Sequence, residues 1–131
     1  MSYSLGDRRI YSYPSVNFGG GDSTQSFRGP RGKTGRLRWI HTTATTAYAG
    51  ATTTPKVQVG VSGTLTQKAN WDIGTLAITL SKASDDSQQT SNPITDAELA
   101  ADTDYLVTFK APTGGGAAGV GHVQICVDWA D

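Results

Sequence analysis

The sequence contains a single cysteine, Cys126, among its 131 residues. One cysteine cannot form an intramolecular disulfide, which excludes the small secreted scaffolds that several disulfides hold together. The first residues include no apolar stretch of the kind found in a signal peptide, and the longest apolar runs are too short to span a membrane. We therefore expect one domain with its own hydrophobic core, assembled in a cytoplasm.

The sequence also lacks an excess of charge, with 11 basic and 11 acidic residues. The two halves differ, because residues 1–65 carry a net charge of +6 and residues 66–131 a net charge of −6. If the fold separates the halves, a basic and an acidic patch would steer the protein onto a charged partner. If strands from the two halves interleave, the charges cancel. Overall neutrality disfavours nucleic acid as a partner, since phosphate contacts need surplus positive charge.

Helix-forming patterns are almost absent. The one candidate is a single turn within Ile94–Ala101, where Thr95 would cap the turn and Glu98 would complete a capping box. Strands are predicted at residues 36–48, 57–61, 76–80, 105–109 and 123–129, with polar or glycine-rich loops at 63–70, 81–92 and 111–121. Short strands separated by turn signals predict an all-β fold, a jelly-roll-like antiparallel β-sandwich.

Residues 1–6 have no sustained period, and the alternation of aromatic and polar residues from Arg8 to Tyr13 stops at Pro14. We interpret residues 1–23 as an extended N-terminal arm before a sandwich domain of residues 24–131. The arm is rich in aromatic residues, including Tyr11 and Tyr13. Tyrosine supplies contact area at low entropic cost, so such an arm suits packing on a neighbouring subunit. The alternative is that these rings cap the sheet of their own domain.

The run from Ser26 to Tyr48 joins a basic loop, broken by Gly and Pro, to the longest predicted strand. A charged loop at the end of a rigid strand is typical of a contact surface. The triplet Gly32-Lys33-Thr34 resembles the end of a phosphate-binding P-loop, but Phe27 stands where that motif needs glycine, and a strand pattern follows instead of a helix. The basic residues of the run are Arg28, Arg31, Lys33, Arg36 and Arg38.

Residues capable of catalysis or metal binding form no recognisable site in the sequence. The histidines and the cysteine lack metal-ligand spacing, and the acidic pairs stand in polar turns that would keep them solvated. The sequence therefore predicts no enzyme activity, no metal and no cofactor. The residues concerned are His41, His122, Cys126, Asp85, Asp86, Asp102 and Asp104.

Three tryptophans, Trp39, Trp71 and Trp129, are candidates for a sugar-stacking surface, because jelly rolls often serve as lectin domains. Alternation places Trp39 and Trp129 on buried faces, which favours the core. A basic loop with aromatics is also the usual footprint of nucleic-acid binding. A carbohydrate- or nucleic-acid-binding β-sandwich module is therefore the alternative function.

Four segments carry a resemblance to a known family. They read RGPRGKTGRL, TTATTAYAGATTTPKVQVG, ADTDYLVTFKAPTGGGAAGVG and VQICVDW. They resemble the cement or decoration proteins that bind the outside of tailed-bacteriophage capsids. The resemblance implies a jelly-roll-like sandwich, often trimeric, that binds the major capsid protein across capsomer joints and performs no catalysis.

We accordingly expect a structural virion protein on the outer capsid surface, assembled in the host cytoplasm. The expected partners are the major capsid protein and two further copies of the chain, with no membrane. A tail or neck component of the same virion is a further alternative. The residues predicted to contact the shell are Arg8, Arg9, Tyr11, Tyr13, Arg28, Arg31, Lys33, Arg36 and Arg38.

Overall fold

The computed structural model describes residues 7–87 and 91–131, which form two antiparallel sheets packed face to face. Sheet A contains β1 (Asp7–Asn17), β3 (Thr34–Ala49), β6 (Ser81–Asp85), β7 (Glu98–Leu99) and β9 (Ala118–Ala130). Sheet B contains β2 (Ser23–Phe27), β4 (Lys56–Val61), β5 (Thr64–Asp72) and β8 (Tyr105–Lys110). A short 3-10 turn, Phe18–Gly20, connects β1 to β2.

The strand order is that of a jelly roll. Sheet A runs β1-β9-β3-β6, with the short β7 also on β3, and sheet B runs β2-β8-β4-β5. Four antiparallel pairs, β1·β9, β2·β8, β3·β6 and β4·β5, are thus nested along the chain. Two sheets built from eight main strands in this way define the jelly roll. The predicted all-β sandwich is confirmed.

The hydrophobic core lies between the two sheets. On β9 the side chains of Val123, Ile125, Val127 and Trp129 point into it and are at most 1% exposed. The alternate side chains of β9 face away from sheet B, and we call this side the outer face of sheet A. No helix among the described residues has the length and apolarity needed to cross a membrane.

Residues 7–17 of the predicted N-terminal arm form a strand of the sandwich itself. Asp7–Asn17 pairs with β9 from Asp7–Trp129 to Asn17–Val120 and forms an edge of sheet A. The alternation from Arg8 to Tyr13 stops at Pro14, and the pairing register shifts between Tyr13 and Val16, where Ser15 has φ +56°, so the sequence does not show one continuous strand. Residues 1–6 of the predicted arm lie outside the described residues.

Three predictions between residues 63 and 92 are wrong. The predicted loop at 63–70 lies mostly in β5, an edge strand whose residues 64–67 are exposed and, apart from Leu65, polar. The predicted strand at 76–80 is instead a turn, because Thr79 has φ +70° and the N–H of Leu80 donates to the carbonyl of Ala77. The predicted loop at 81–92 contains β6.

The predicted helical turn at Ile94–Ala101 is extended. The N–H of Thr95 donates to the carbonyl of Lys68, and the Lys68 ammonium lies 2.8 Å from the Asp96 carboxylate. Glu98–Leu99 then pairs with β3, and Leu99 is buried. These contacts with β5 and β3 hold the segment in an extended conformation, so tertiary context overrides the local capping signal.

Candidate functional surfaces

The basic loop at 28–35 is held against the side chain of Trp129. A Cβ atom would lie 2.5 Å from this ring at Gly29 and 2.6 Å at Gly35, so only glycine lets the backbone pass so close. The Trp129 indole N–H donates to the Tyr11 hydroxyl over 3.0 Å. The loop is therefore fixed on the end of the sandwich by a buried ring.

Two carboxylates fix the tip of this loop. The N–H of Gly32 donates to Asp102 over 3.0 Å, and the Arg28 guanidinium lies 3.0 Å from Asp104. The loop cations Arg31 and Lys33 form no ion pair within the described residues. Of the five basic residues predicted in this run, these two are the ones whose charges have no internal partner.

An ion-pair network crosses the outer face of sheet A. It runs in the order Arg8, Asp128, Arg38, Asp86, Arg36 and Glu98, with each neighbouring pair 2.7–3.0 Å apart. The network joins β1, β9, β3, β7 and the residue that follows β6. It contains three of the basic residues predicted to contact the shell, and each of them already has an acidic partner. On this face the strands of the basic and acidic halves of the chain therefore interleave, and their charges neutralise each other.

Asp128 lies at a branch point of this network. Its hydrogen bond from Arg8 is the main cause that lowers the pKa of its carboxyl below the usual value. The same bond raises the pKa of the Arg8 guanidinium, so both groups stay charged at neutral pH. Because the folded state binds the proton less tightly than the unfolded state, this carboxylate stabilises the fold above the unfolded pKa of about 4.

We expect Asp128→Asn to lower the free energy of unfolding at neutral pH by about 1 kcal/mol, because two exposed ion pairs are lost. The stabilisation is lost as pH falls through the folded pKa of Asp128, so the difference between the two proteins should shrink with falling pH and vanish once this carboxyl is protonated in the folded state. Urea denaturation at several pH values measures this. Asp131→Asn is the matched control, since Asp131 forms no ion pair among the described residues; a difference that persists unchanged at low pH contradicts the expectation.

The aromatic residues of β1 pack on their own sandwich. The ring of Tyr11 stacks on Phe27 at 4.7 Å, and Tyr13 meets Phe109 edge-on at 5.5 Å. The rings of Tyr11 and Tyr13 therefore cap the sheets of their own domain, which was the alternative to packing on a neighbouring subunit. Arg9, next to them on β1, is exposed and lies 3.0 Å from Asp7.

A groove of about 640 Å³ opens between the edge strands β1 and β2. Tyr13, Val16 and Phe109 form its apolar part. The Tyr13 hydroxyl is buried without a hydrogen-bond partner among the described residues, and burial raises its pKa to about 12. The phenol therefore stays protonated at neutral pH.

Trp39 lies half-buried on the outer face of sheet A, contrary to the prediction that it belongs to the core. The register between β3 and β9 shifts between Leu37 and Trp39, so Arg38 is an extra residue, a β-bulge. Leu37 and Ile40 consequently both face the core, while Arg38 and Trp39 both face outward. A bulge is invisible to simple alternation, which explains why the sequence prediction failed. Trp71 and Trp129 are buried, at 6% and 1% exposure.

A shallow hollow of about 330 Å³ lies beside Trp39. It is lined by side chains from three adjacent strands: Trp39 and His41 on β3, Ala83 and Asp85 on β6, and Gln124 on β9. The rings of Trp39 and His41 stand 6.4 Å apart at 80°, so they form a corner. The small side chain of Ala83 leaves the space open.

The other residues considered in the sequence are dispersed. Among the described residues, no three His, Cys, Asp or Glu side chains lie close enough to share a metal ion. Cys126 is fully buried, and burial raises the pKa of its thiol, which keeps it protonated. Asp102 and Asp104 hold the basic loop, and Asp86 belongs to the ion-pair network.

Besides the groove between β1 and β2, the geometry presents two surfaces at which a partner could bind, the cationic tip of the loop at 28–35 and the hollow beside Trp39. Comparison of the chain with protein-family models and with curated proteins gives no match. These two surfaces are therefore the features from which a function can be inferred.

Proposed function

We propose that this protein is a non-enzymatic decoration protein that binds the outside of a phage capsid and stabilises the shell. The observation that carries the proposal is the loop tip on a rigid jelly roll, where Arg31 and Lys33 form no ion pair with any residue that the structure describes. The resemblance of the loop, the following hairpin and the last strand to capsid decoration proteins supports the same function. On this proposal the protein belongs to the outer surface of the virion, after assembly in the host cytoplasm.

The loop is suited to a preformed contact. Its backbone is held by Asp102 and by the Trp129 ring, so little conformational entropy is lost when it binds. The charges of Arg31 and Lys33 are then available to carboxylates on the shell. Each exposed ion pair contributes only about 0–1 kcal/mol, so one loop alone binds weakly.

Weak single contacts require several loops acting together. Three copies of the chain that present three loops to adjoining capsid subunits would multiply the affinity through effective concentration. We therefore propose that the binding form is a homotrimer and that the major capsid protein supplies the acidic partner groups. A virion tail or neck uses the same kind of contact, and binding to capsids that lack tails distinguishes the two locations.

The charge reversal Arg31→Glu with Lys33→Glu is expected to abolish capsid binding while leaving the melting temperature unchanged, because neither side chain has an ionic partner in the described part of the chain. Co-sedimentation with intact tailless capsids measures occupancy, and light scattering measures the mass of the free protein. Lys56→Glu is the matched control, since it reverses a cation of sheet B that forms no ion pair in the described chain. Unchanged occupancy in the double variant would exclude the loop as the contact, and a wild-type protein that ignores capsids would overturn the proposed function.

A further inference from the structure

The side chain of Trp39 faces away from the core, and the packing of the core does not require this orientation. Large aromatic side chains contribute most when they are buried, as Trp71 and Trp129 are. Here a β-bulge at Arg38 turns Trp39 to the solvent side without changing the burial of Leu37 and Ile40. Bulges often serve to re-aim one side chain at a binding site. The indole N–H of Trp39 makes no hydrogen bond with any described residue.

The side chains around Trp39 are those that recognise hydroxyl groups. Gln124 offers both a donor and an acceptor, the His41 imidazole offers its ring nitrogens, and the Asp85 carboxylate, whose Oδ1 also accepts from Ser87, offers acceptor oxygens. They surround an apolar ring face, and Ala83 leaves room above the sheet for a ligand. A volume of about 330 Å³ falls at the small end of the range for small-molecule sites.

The charges near the hollow favour a neutral ligand. Arg38, next to Trp39 in sequence, forms ion pairs with Asp86 and Asp128, and Asp128 also binds Arg8. A phosphate backbone requires cations whose charge is not already neutralised. A stacked nucleic-acid base is therefore disfavoured at this place, although the ring alone would accept one.

We propose that the hollow formed by Trp39, His41, Ala83, Asp85 and Gln124 binds a neutral saccharide, with one pyranose ring stacked on Trp39. A pyranose presents an apolar C–H face to the indole and hydroxyl groups at its rim to the three polar side chains. The site lies on the sheet face, roughly 15–20 Å along β3 from the loop tip at about 3.3 Å per residue. Saccharide binding is thus separate from the proposed capsid contact.

The test uses the full-length protein and the indole N–H signals of its three tryptophans in a two-dimensional NMR spectrum. A glycan array covering neutral and charged glycans selects the oligosaccharide for titration. We expect a neutral oligosaccharide to shift the Trp39 signal saturably while the signals of the buried Trp71 and Trp129 stay in place. Trp39→Ala should weaken binding about tenfold or more, as truncation of a stacking ring does.

The variant Ala83→Ile tests the contribution of the hollow independently of the Trp39 ring, because it fills the space and leaves Trp39 in place. We expect it to weaken binding by a similar factor, and Thr66→Ile, at an exposed position of β5, to leave binding unchanged. Three results overturn the proposal: no neutral glycan on the array binds, Trp39→Ala binds as well as wild type, or single-stranded DNA but no glycan shifts the Trp39 signal. A Trp39 signal that moves on dilution instead assigns this face to a contact between copies of the chain. Capsid binding should be the same in all three variants.

Discussion

Replacing Trp129 with alanine is expected to lower the free energy of unfolding by about 3–5 kcal/mol, the cost of removing a large buried ring. Trp129 is 1% exposed and fills the end of the core next to Val127. Its loss also removes the indole donor to Tyr11 and the surface on which Gly29 and Gly35 lie. Chemical denaturation with an unchanged m-value measures the effect.

The variant Trp129→Phe distinguishes the contribution of ring packing to stability from that of the hydrogen bond to Tyr11. This variant keeps an apolar ring but cannot donate to the Tyr11 hydroxyl, so we expect a smaller loss than for alanine. In the alanine variant, the N–H of Gly32 should also exchange faster with solvent, because the loop has lost its support. A loss below about 1 kcal/mol in Trp129→Ala would show that the core closes around the cavity, and that the loop is held by Asp102 and Asp104 alone.

The second large effect concerns a hydrogen bond inside the core. The hydroxyls of Thr42 and Tyr48, both on β3, lie 2.6 Å apart, and both residues are at most 1% exposed. Tyr48→Phe should cost about 1–3 kcal/mol, because it leaves the Thr42 hydroxyl buried without a partner. Thr42→Val should cost a similar amount by leaving the Tyr48 hydroxyl unpaired.

The double variant completes a thermodynamic cycle. With both hydroxyls absent, neither buried group is left unsatisfied, so the combined loss should be clearly smaller than the sum of the two single losses. Denaturation of all four proteins under one condition gives the coupling energy. Additive losses would mean that the bond contributes nothing beyond the packing of the two side chains. Close packing of Gly121 against the Tyr48 hydroxyl makes relaxation of this region difficult.

The fold class was predictable because its main strands have strong local signals. Inward-facing and outward-facing residues alternate in Val123–Trp129 and in Tyr105–Phe109, and both segments form central strands of their sheets. Edge strands were harder to find, because one face and one edge of such a strand meet water. β5 therefore reads as a polar loop, and β1, interrupted at Pro14, reads as an arm.

The candidate surfaces were less predictable, because they depend on pairing across the sheet. The sequence shows five cations in one run, but only the fold shows that Arg36 and Arg38 form ion pairs with Asp86, whereas Arg31 and Lys33 pair with no acid among residues 7–87 and 91–131. The hollow beside Trp39 depends on a one-residue bulge and on side chains from three strands. The only hint of this bulge in the sequence was the charged residue Arg38 directly before Trp39 within a long predicted strand.

The position of β9 has a consequence for how the protein folds. β9 follows all the other strands in the chain, yet it lies between β1 and β3 in the middle of sheet A. Sheet A therefore cannot close until this strand has been synthesised, and β1 must wait for a partner more than a hundred residues away. Pairing over such sequence distances is slow, typically milliseconds to seconds. A ribosome-bound chain that lacks β9 would expose the edges and apolar faces of its earlier strands, so chaperone protection should matter most just before synthesis of β9 is complete.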